Sequence, residues 1–382
     1  MNKIRICNVD EEGRFGGPER RIIQVARELV KFGVSTHIIL PQMDADLFLS
    51  QIDLYHISRT QLDITRLSKE RKVLIRYCFR YFIEIIILYL FFRKEKFDLI
   101  HVNGSYQIKG AIAAHLSRTP VVWHLNDTMM AGLVKSIFSY IARIAAKGFI
   151  VAGKRVYDYY ISNTLLATIP CEEIHAPVDV TVFSPKPSQR ILAKDWLTIV
   201  TVSGLNPTKG LEYFIRAAIQ IHRNYPKVQF CIAGAELKSH KHYADSLKKI
   251  IVDAAIPRDT INFLGLVDDI PSLLSTADIC VFTSVSEASP TSIWEALASG
   301  IPVVTTDVGA VTQYIQDGVS GFVVPIRDID ALVARIEILL NDAELRQSFG
   351  EKGRATAVQH LDITSAARKH LKIYQRILRL KS

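Results

Sequence analysis

The sequence predicts an α/β protein made of two doubly wound parallel-sheet domains. Three observations predict it: short β-rich runs alternate with helical patterns from end to end, the alternation comes in two series, and a proline-bearing stretch separates them. The length of 382 residues suits about two domains at roughly 100–200 residues each.

In the first series Lys3–Val9, Val34–Leu40, Leu99–Asn103, Val121–His124 and Gly148–Val151 read as strands, each a short run rich in aliphatic and β-branched residues. Pro18–Phe32 and Gln107–Ser117 read as helices between them. The second series gives Leu197–Ser203, Gln229–Ala233, Thr260–Leu264, Ile279–Thr283 and Val303–Thr305, again with helical stretches between. Strands that alternate with helices in this way lie parallel in a sheet covered on both faces. The seam is Ala176–Arg190, where Pro177, Pro185 and Pro187 interrupt regular structure.

Composition narrows the function classes. A chain with 49% hydrophobic and 22% charged residues is too apolar for disorder. Its five cysteines, Cys7, Cys78, Cys171, Cys231 and Cys280, are scattered and never form a CxxC pair. That argues against a disulfide framework or a zinc site and for a reducing, cytoplasmic setting. The first residues run straight into a strand with no signal-peptide apolar core, so secretion by that route is not expected.

The net charge of +9 is focused in one place. Residues 66–96 carry nine basic groups against three acidic ones, a patch suited to phosphates or anionic lipid. Within it, residues 73–92 are apolar except for Arg76, Arg80 and Glu84, which recur every four residues and form one narrow polar stripe on a helix. The uninterrupted apolar part, Ile85–Phe92, is far short of the ~20 residues a bilayer span needs. Two readings stand: a core helix buried nearly all round, or a helix whose basic flanks meet anionic lipid while its aromatics enter the interface. The basic total does not point to nucleic acid, because no recognition motif accompanies it.

Four constellations carry possible chemistry. The first is Glu11-Glu-Gly-Arg-Phe-Gly-Gly-Pro-Glu-Arg20, between the first strand and a helix that Pro18 opens. Gly16 and Gly17 let backbone amides approach a ligand at the positive end of that helix. Their spacing is neither the dinucleotide fingerprint nor a Walker loop, and a plain tight turn would read alike. The second, Val202-Ser-Gly-Leu-Asn-Pro-Thr-Lys-Gly-Leu211, puts Lys209 at the carboxyl end of a strand, where doubly wound sheets bind ligands.

The third runs from Ser284 to Val304. A buried strand leads to Glu287, then Ser289 reads as an N-cap and Pro290 as the first helical residue. The amides of Thr291 and Ser292 head that helix and can hold an anion, and Glu295 lies far enough along it to border the same cavity as Glu287. Carboxylates accept hydrogen bonds from sugar hydroxyls, although most glutamates are simply solvated. The fourth is His124-Leu-Asn-Asp127 at a strand's carboxyl end. No HExxH, GxSxG or paired Asp-x-Asp motif is present, which speaks against a zinc protease, a serine hydrolase and a metal-carboxylate transferase.

The E-x7-E arrangement of Glu287 and Glu295 is followed by Ala296-Leu-Ala-Ser-Gly-Ile-Pro-Val-Val304. Together with Phe263-Leu-Gly-Leu-Val-Asp-Asp-Ile-Pro271, Lys209-Gly210 and the Pro177-Val-Asp179 seam, it resembles glycosyltransferase family 4, retaining enzymes of the GT-B fold. The resemblance covers nearly the whole chain and is closest in the C-terminal half. It implies two Rossmann-like domains facing across a cleft: residues 1–182 on the acceptor side, residues 183–363 binding the nucleotide sugar, and a helix in 364–382 crossing back to the first domain.

The resemblance also implies roles. Glu295 would bind ribose hydroxyls, and Glu287 would face the transferring sugar. Backbone amides across Ala288, Ser289, Thr291, Ser292 and Ile293 would lie near the sugar and diphosphate. Lys209 and the Gly17 backbone would meet charge on the leaving diphosphate, with Gly16 beside them in the donor-binding set, and with no metal and no cofactor. His124 would contact the donor sugar, and Asp127 stands beside it as the other candidate. Where the family carries an arginine five residues before the lysine, this chain has Gly204 in the donor-binding loop. The expected partners are a nucleotide-diphosphate sugar, UDP-linked by family frequency, and a lipid-linked glycan acceptor of the cell envelope, with an anionic membrane surface met through 66–96. The competing reading is a catalytically silent nucleotide- or glycan-binding protein on the same scaffold.

Overall fold

The computed structural model describes residues 4–68, 70–130, 132–186, 196–236 and 240–379. Lys3, Lys69, Pro187 and Arg190, which enter the strand, charge and seam readings above, lie outside the described residues. The chain divides into two compact units, Met1–Ala176 with Ile363–Ser382, and Pro177–Asp362.

The first unit is a seven-stranded parallel sheet. Its strands are β1 (Ile4–Val9), β2 (Val34–Pro41), β3 (Ser58–Leu62), β4 (Leu99–Asn103), β5 (Val121–Leu125), β6 (Ala146–Val151) and β7 (Cys171–Glu173), in the order β3-β2-β1-β4-β5-β6-β7. The central strands β4 and β5 are buried at every position, as a sheet covered on both faces requires. Its helices are α1 (Gly17–Val30), α2 (Asp46–Leu54), α3 (Arg71–Glu95), α4 (Ile108–Leu116), α5 (Gly132–Ala145) and α6 (Lys154–Tyr160). Right-handed crossovers place α1 and α2 on one face and α3, α4 and α5 on the other.

The second unit is a six-stranded parallel sheet of β8 (Leu197–Val202), β9 (Val228–Ala233), β10 (Ile261–Gly265), β11 (Ile279–Phe282), β12 (Val303–Thr306) and β13 (Phe322–Val324), ordered β10-β9-β8-β11-β12-β13. It carries α7 (Leu211–Asn224), α8 (Lys241–Asp253), α9 (Ile270–Leu274), α10 (Thr291–Ala298), α11 (Val311–Tyr314), α12 (Ile329–Asn341) and α13 (Ala343–Thr356). One apolar cluster joins Phe214 and Ile215 of α7, Phe230 of β9, Val281 of β11 and Leu339 of α12.

The last helix, α14 (Ile363–Arg379), packs in the first unit, where Ile373, Tyr374 and Ile377 share a core with Val25 and Leu29 of α1. Gly148 of β6 allows the approach: a Cβ there would lie 2.5 Å from Ile377 Cδ1. In both sheets the strand order reverses beside the first strand, between β1 and β4 and between β8 and β11. Those are the points where doubly wound folds open a crevice at the carboxyl ends.

Helix α3 departs from the reading of a helix buried nearly all round. Only Glu84, Ile85, Leu88 and Phe92 are buried, while Phe79 and Phe82 are 83% and 77% exposed. The polar stripe is the inward one. Arg76 and Arg80 pair with the two carboxylate oxygens of Asp63 at 2.5 and 2.8 Å, and Glu84 is fully buried against Lys109 of α4. The buried Glu84–Lys109 pair, flanked by the part-exposed Arg76 and Arg80 pairs with Asp63, fixes the helix's rotation, since turning α3 would strand a buried charge.

Candidate active site

The second unit's crevice is built by the loops after β8 and β11. After β8 the chain turns through a short 3₁₀ segment, Pro207–Lys209, capped by Asn206 Oδ1, which accepts from the Thr208 amide at 3.0 Å. Gly210 then takes φ +59°, and a Cβ there would come within 2.3 Å of the Thr283 carbonyl oxygen. Only glycine lets the turn pass so close to the end of β11. The two loops are laced together: the Val285 amide donates to the Thr208 carbonyl at 2.8 Å, and Thr283 Oγ1 to the Gly210 carbonyl at 2.8 Å.

This lacing brings Lys209 and Glu287 into contact. Lys209 Nζ lies 2.5 Å from Glu287 Oε1, and Ser284 Oγ donates to the same oxygen at 3.0 Å. Ser284 is itself placed by Thr306 Oγ1 of β12, which donates to its carbonyl at 2.5 Å. The pair is partly open to solvent, with 31% of the lysine and 16% of the glutamate side chain exposed. Beside it opens a recess of about 310 Å³, continuous with solvent. Lys209, Ser284, Glu287, Thr291, Ser292 and Ile293 contribute to its lining.

Helix α10 aims its first turn at that recess, but it starts one residue later than expected. Pro290 is the N-cap and Thr291 the first helical residue, while Ser289 Oγ instead accepts from Trp294 Nε1 at 3.1 Å. The indole takes up the hydroxyl that would have capped the helix. The Ile293 amide bonds the Pro290 carbonyl at 3.1 Å, so the helix offers the recess its two leading amides, Thr291 and Ser292. Gly204, Ala288 and Ser289 do not line the recess. Glu295 is buried in the second turn of α10 and does not line it either. Gly309 supports the loop from behind with φ +54°; a Cβ there would sit 2.4 Å from the Ala288 carbonyl oxygen.

In the first unit Gly16 is the N-cap of α1, its amide donating to Glu19 Oε2 at 2.7 Å, and Gly17 rather than Pro18 is the first helical residue. Beyond its chain neighbours and its own helix backbone, nothing lies within 4 Å of where a Cβ on Gly17 would stand. His124 is wholly buried, with Nε2 2.5 Å from Arg21 Nη1 and Nδ1 3.3 Å from His101 Nε2. Both ring nitrogens are engaged within the unit, so His124 presents no surface to a sugar. The rings of His101, His124 and His370 form a triangle with centroids 5.4, 5.9 and 5.9 Å apart, and Tyr374 OH meets His101 Nδ1 at 2.7 Å. Burial pushes all three histidines below their usual pKa, His370 to about 3. Asp127 is half-buried and accepts from Ser105 Oγ at 2.8 Å and Tyr160 OH at 3.1 Å.

Thr201, Ser203, Thr283 and Ser284, which also line the recess, were not singled out from sequence. Their signal was positional, since each lies at or just past the carboxyl end of a strand. Gly309 carried no motif at all.

Comparison with known proteins places this geometry in a family. A model described as Glycosyltransferase Family 4 matches residues 15–180, and one described as Glycosyl transferases group 1 matches residues 185–356. The UDP-Gal:alpha-D-GlcNAc-diphosphoundecaprenol alpha-1,3-galactosyltransferase of Escherichia coli is 26% identical over 284 residues, 68% of this chain and 71% of that one. The alpha-D-kanosaminyltransferase of Streptomyces kanamyceticus is 29% identical over 181 residues, but the match spans 47% of this chain and 45% of that relative. Among solved structures, Anabaena Alr3699/HepE in complex with UDP and glucose superposes with a TM-score of 0.84 at 21% identity, covering 97% of this chain and 99% of that one. A glycosyltransferase from Rickettsia africae ESF-5 gives 0.83 at 20% identity and 99% coverage of both chains. The structural matches show the shared GT-B architecture of two Rossmann-like domains, and the two family models, matching residues 15–180 and 185–356, make the chain a member of glycosyltransferase family 4.

Proposed function

We propose that the chain transfers a hexose-type sugar from a nucleotide-diphosphate donor, UDP-linked by preference, to a hydroxyl of a lipid-linked cell-envelope glycan, with retention and without a metal. The observation that carries this reading is the Lys209–Glu287 pair at the reversal point of the second sheet, beside the two leading amides of α10. A cation and aligned amides suit a leaving diphosphate, and a carboxylate suits sugar hydroxyls.

Lys209 and Glu287 neutralise each other across their contact. Donor binding would draw Lys209 to the diphosphate and release Glu287 to the sugar, so charge compensation shifts as the leaving group develops. The named activity of the Escherichia coli relative, with a UDP-galactose donor and a diphosphoundecaprenol-linked acceptor, supports this choice of donor and acceptor class. So does the complex of the Anabaena neighbour with UDP and glucose. A lipid-linked acceptor would place the enzyme at the inner face of the cell membrane.

The test is a panel of nucleotide sugars with lipid-diphosphate-linked acceptors, products read by mass spectrometry and anomeric configuration by NMR, with and without EDTA. Transfer to none of the panel, with nucleotide still bound, would favour the catalytically silent alternative, to which Gly204 in place of the family's arginine lends weight. An inverted product would remove retention, and loss of activity in EDTA would remove metal independence.

A further inference from the structure

We infer that α3 and α5 of the first unit form one surface that docks on an anionic bilayer interface; this rests on the lipid-linked acceptor proposed above and names the face that meets its membrane. The inference starts from the rotation of α3. Lys109 Nζ lies 2.6 Å from Glu84 Oε2 and 3.2 Å from Glu11 Oε2, and it donates to the Thr65 carbonyl at 2.6 Å. Thr65 also donates to Glu84 through its amide at 3.0 Å and its hydroxyl at 2.7 Å. Turning α3 to hide its apolar stripe would pull Glu84 out of this buried network and strand Lys109 and Glu11, so the exposed stripe is a held feature of the fold.

That stripe consists of Ile75, Phe79, Phe82, Ile86 and Leu90, spaced three and four residues apart on one side of the helix. Its ends are basic and exposed, with Arg71 and Lys72 at one and Arg93, Lys94 and Lys96 at the other. No exposed residue between Arg71 and Lys94 is acidic.

Helix α5 repeats the pattern. Leu133 and Tyr140 are 77% and 69% exposed, Ile137 and Ile144 extend the same stripe, and Lys135 and Arg143 are its charges, with no acid in the helix. Both helices pack on α4, whose Leu116 is also exposed, and all three lie on the sheet face opposite α14. Two periodic apolar stripes on helices that flank α4 are a contact surface rather than scatter. The two acids at its border, Glu70 and Glu95, are paired with Arg66 and Arg5, so the border is net positive, which selects an anionic lipid interface over a second copy of the same basic surface. Among the described residues no helix is long and apolar enough to cross a membrane, so contact would be made in the plane of the interface.

The test is flotation of the full chain with phosphatidylglycerol/phosphatidylethanolamine vesicles and with pure phosphatidylcholine vesicles. The expected result is recovery with the anionic vesicles, reduced by about tenfold or more on phosphatidylcholine and in Arg93→Glu/Lys94→Glu. The variant Phe82→Ser/Ile86→Ser/Ile137→Ser should lose recovery on both, with an unchanged melting temperature because these side chains are exposed. Wild-type protein left in the soluble fraction, or an apolar variant floating as well as wild type, overturns the inference. So does a dimer that the apolar variant dissociates without altering flotation, since the face would then be a protein interface. The UDP-induced shift in melting temperature is read on the same samples. A shift without flotation removes the docking face and leaves the donor site standing, and flotation without a shift does the reverse.

Discussion

Lys109 Nζ sits 2.6 Å from Glu84 Oε2, with neither side chain exposing any surface. Glu11, on the loop that leads to Gly16 and Gly17, shares the same ammonium at 3.2 Å. Lys109→Met would leave Glu11 buried without its cation and Glu84 with only Arg80 Nε at 3.4 Å, at a cost of roughly 3–5 kcal/mol. Glu84→Gln and Glu11→Gln added to it should restore much of that loss. Hydrogen exchange of the β4 and α4 amides in the full chain reads the change. A single variant that exchanges like wild type would show the network to be dispensable.

The contact between Lys209 and Glu287 gives an asymmetric expectation. Lys209→Met leaves a carboxylate facing the diphosphate, so nucleotide binding weakens and turnover falls by roughly 10²–10³. Glu287→Gln frees the lysine from its partner, so UDP binds as tightly as in wild type or more tightly while transfer slows. Calorimetric UDP titration beside single-turnover kinetics separates the two. Equal weakening of UDP binding by both variants would contradict the handover.

The strands that sequence missed explain what was legible. β3, β7 and β13 all lie at sheet edges, and they are five, three and three residues long. Ser-Arg-Thr-Gln-Leu and Cys-Glu-Glu carry no run of apolar residues to announce them, and Phe-Val-Val is too short to stand out as a strand. Buried central strands such as Leu99–Asn103 were readable because packing on both faces demands apolar residues. The rotation of α3 was not readable, because its polar stripe is satisfied by Asp63, Thr65 and Lys109, each remote from it in sequence. The burial of His124 was not readable for the same reason, its partners being Arg21 and His101. Lys209 and Glu287 could be named from their motifs, but their contact depends on two loops meeting across adjacent strands.

Gly309 offers a test of how tightly the Glu287 loop must be held. Gly309→Ala would put a methyl group 2.4 Å from the Ala288 carbonyl oxygen and 2.9 Å from that of Glu287, at φ +54°. The loop must move, and a shift on the order of 1 Å at a positioned group can cost about 10²-fold in rate. Gly318→Ala has a similar φ of +73° but meets open space, so it carries only backbone strain, on the order of 1–3 kcal/mol. Turnover at a temperature where both variants remain folded distinguishes them: Gly309→Ala should be slow and Gly318→Ala near wild type. Equal turnover would show that the loop tolerates displacement.

Two buried groups of the first unit should respond to pH with opposite sign. Burial holds His370 at about 3, against an unfolded value of 6.5, with Arg21 also disfavouring its charge and the Ala366 carbonyl favouring it. His101, His124 and Tyr374 face it as well. The unfolded chain binds that proton first, so the neutral ring's stabilisation is complete above pH 6.5 and declines by about 1.4 kcal/mol per unit as pH falls toward 3. Burial raises Asp10 from 3.8 to about 6, so the native state binds its proton first. Its contribution is complete below 3.8 and is lost as pH rises through 6, with buried Glu19 beside it raised in the same direction. Relative to wild type, His370→Gln should therefore gain stability on going from about pH 7.5 to about pH 4.5. Asp10→Asn should gain on going the other way. Chemical denaturation of the full chain at both pH values measures the two differences, and slopes of the same sign would contradict the burial of one group or the other.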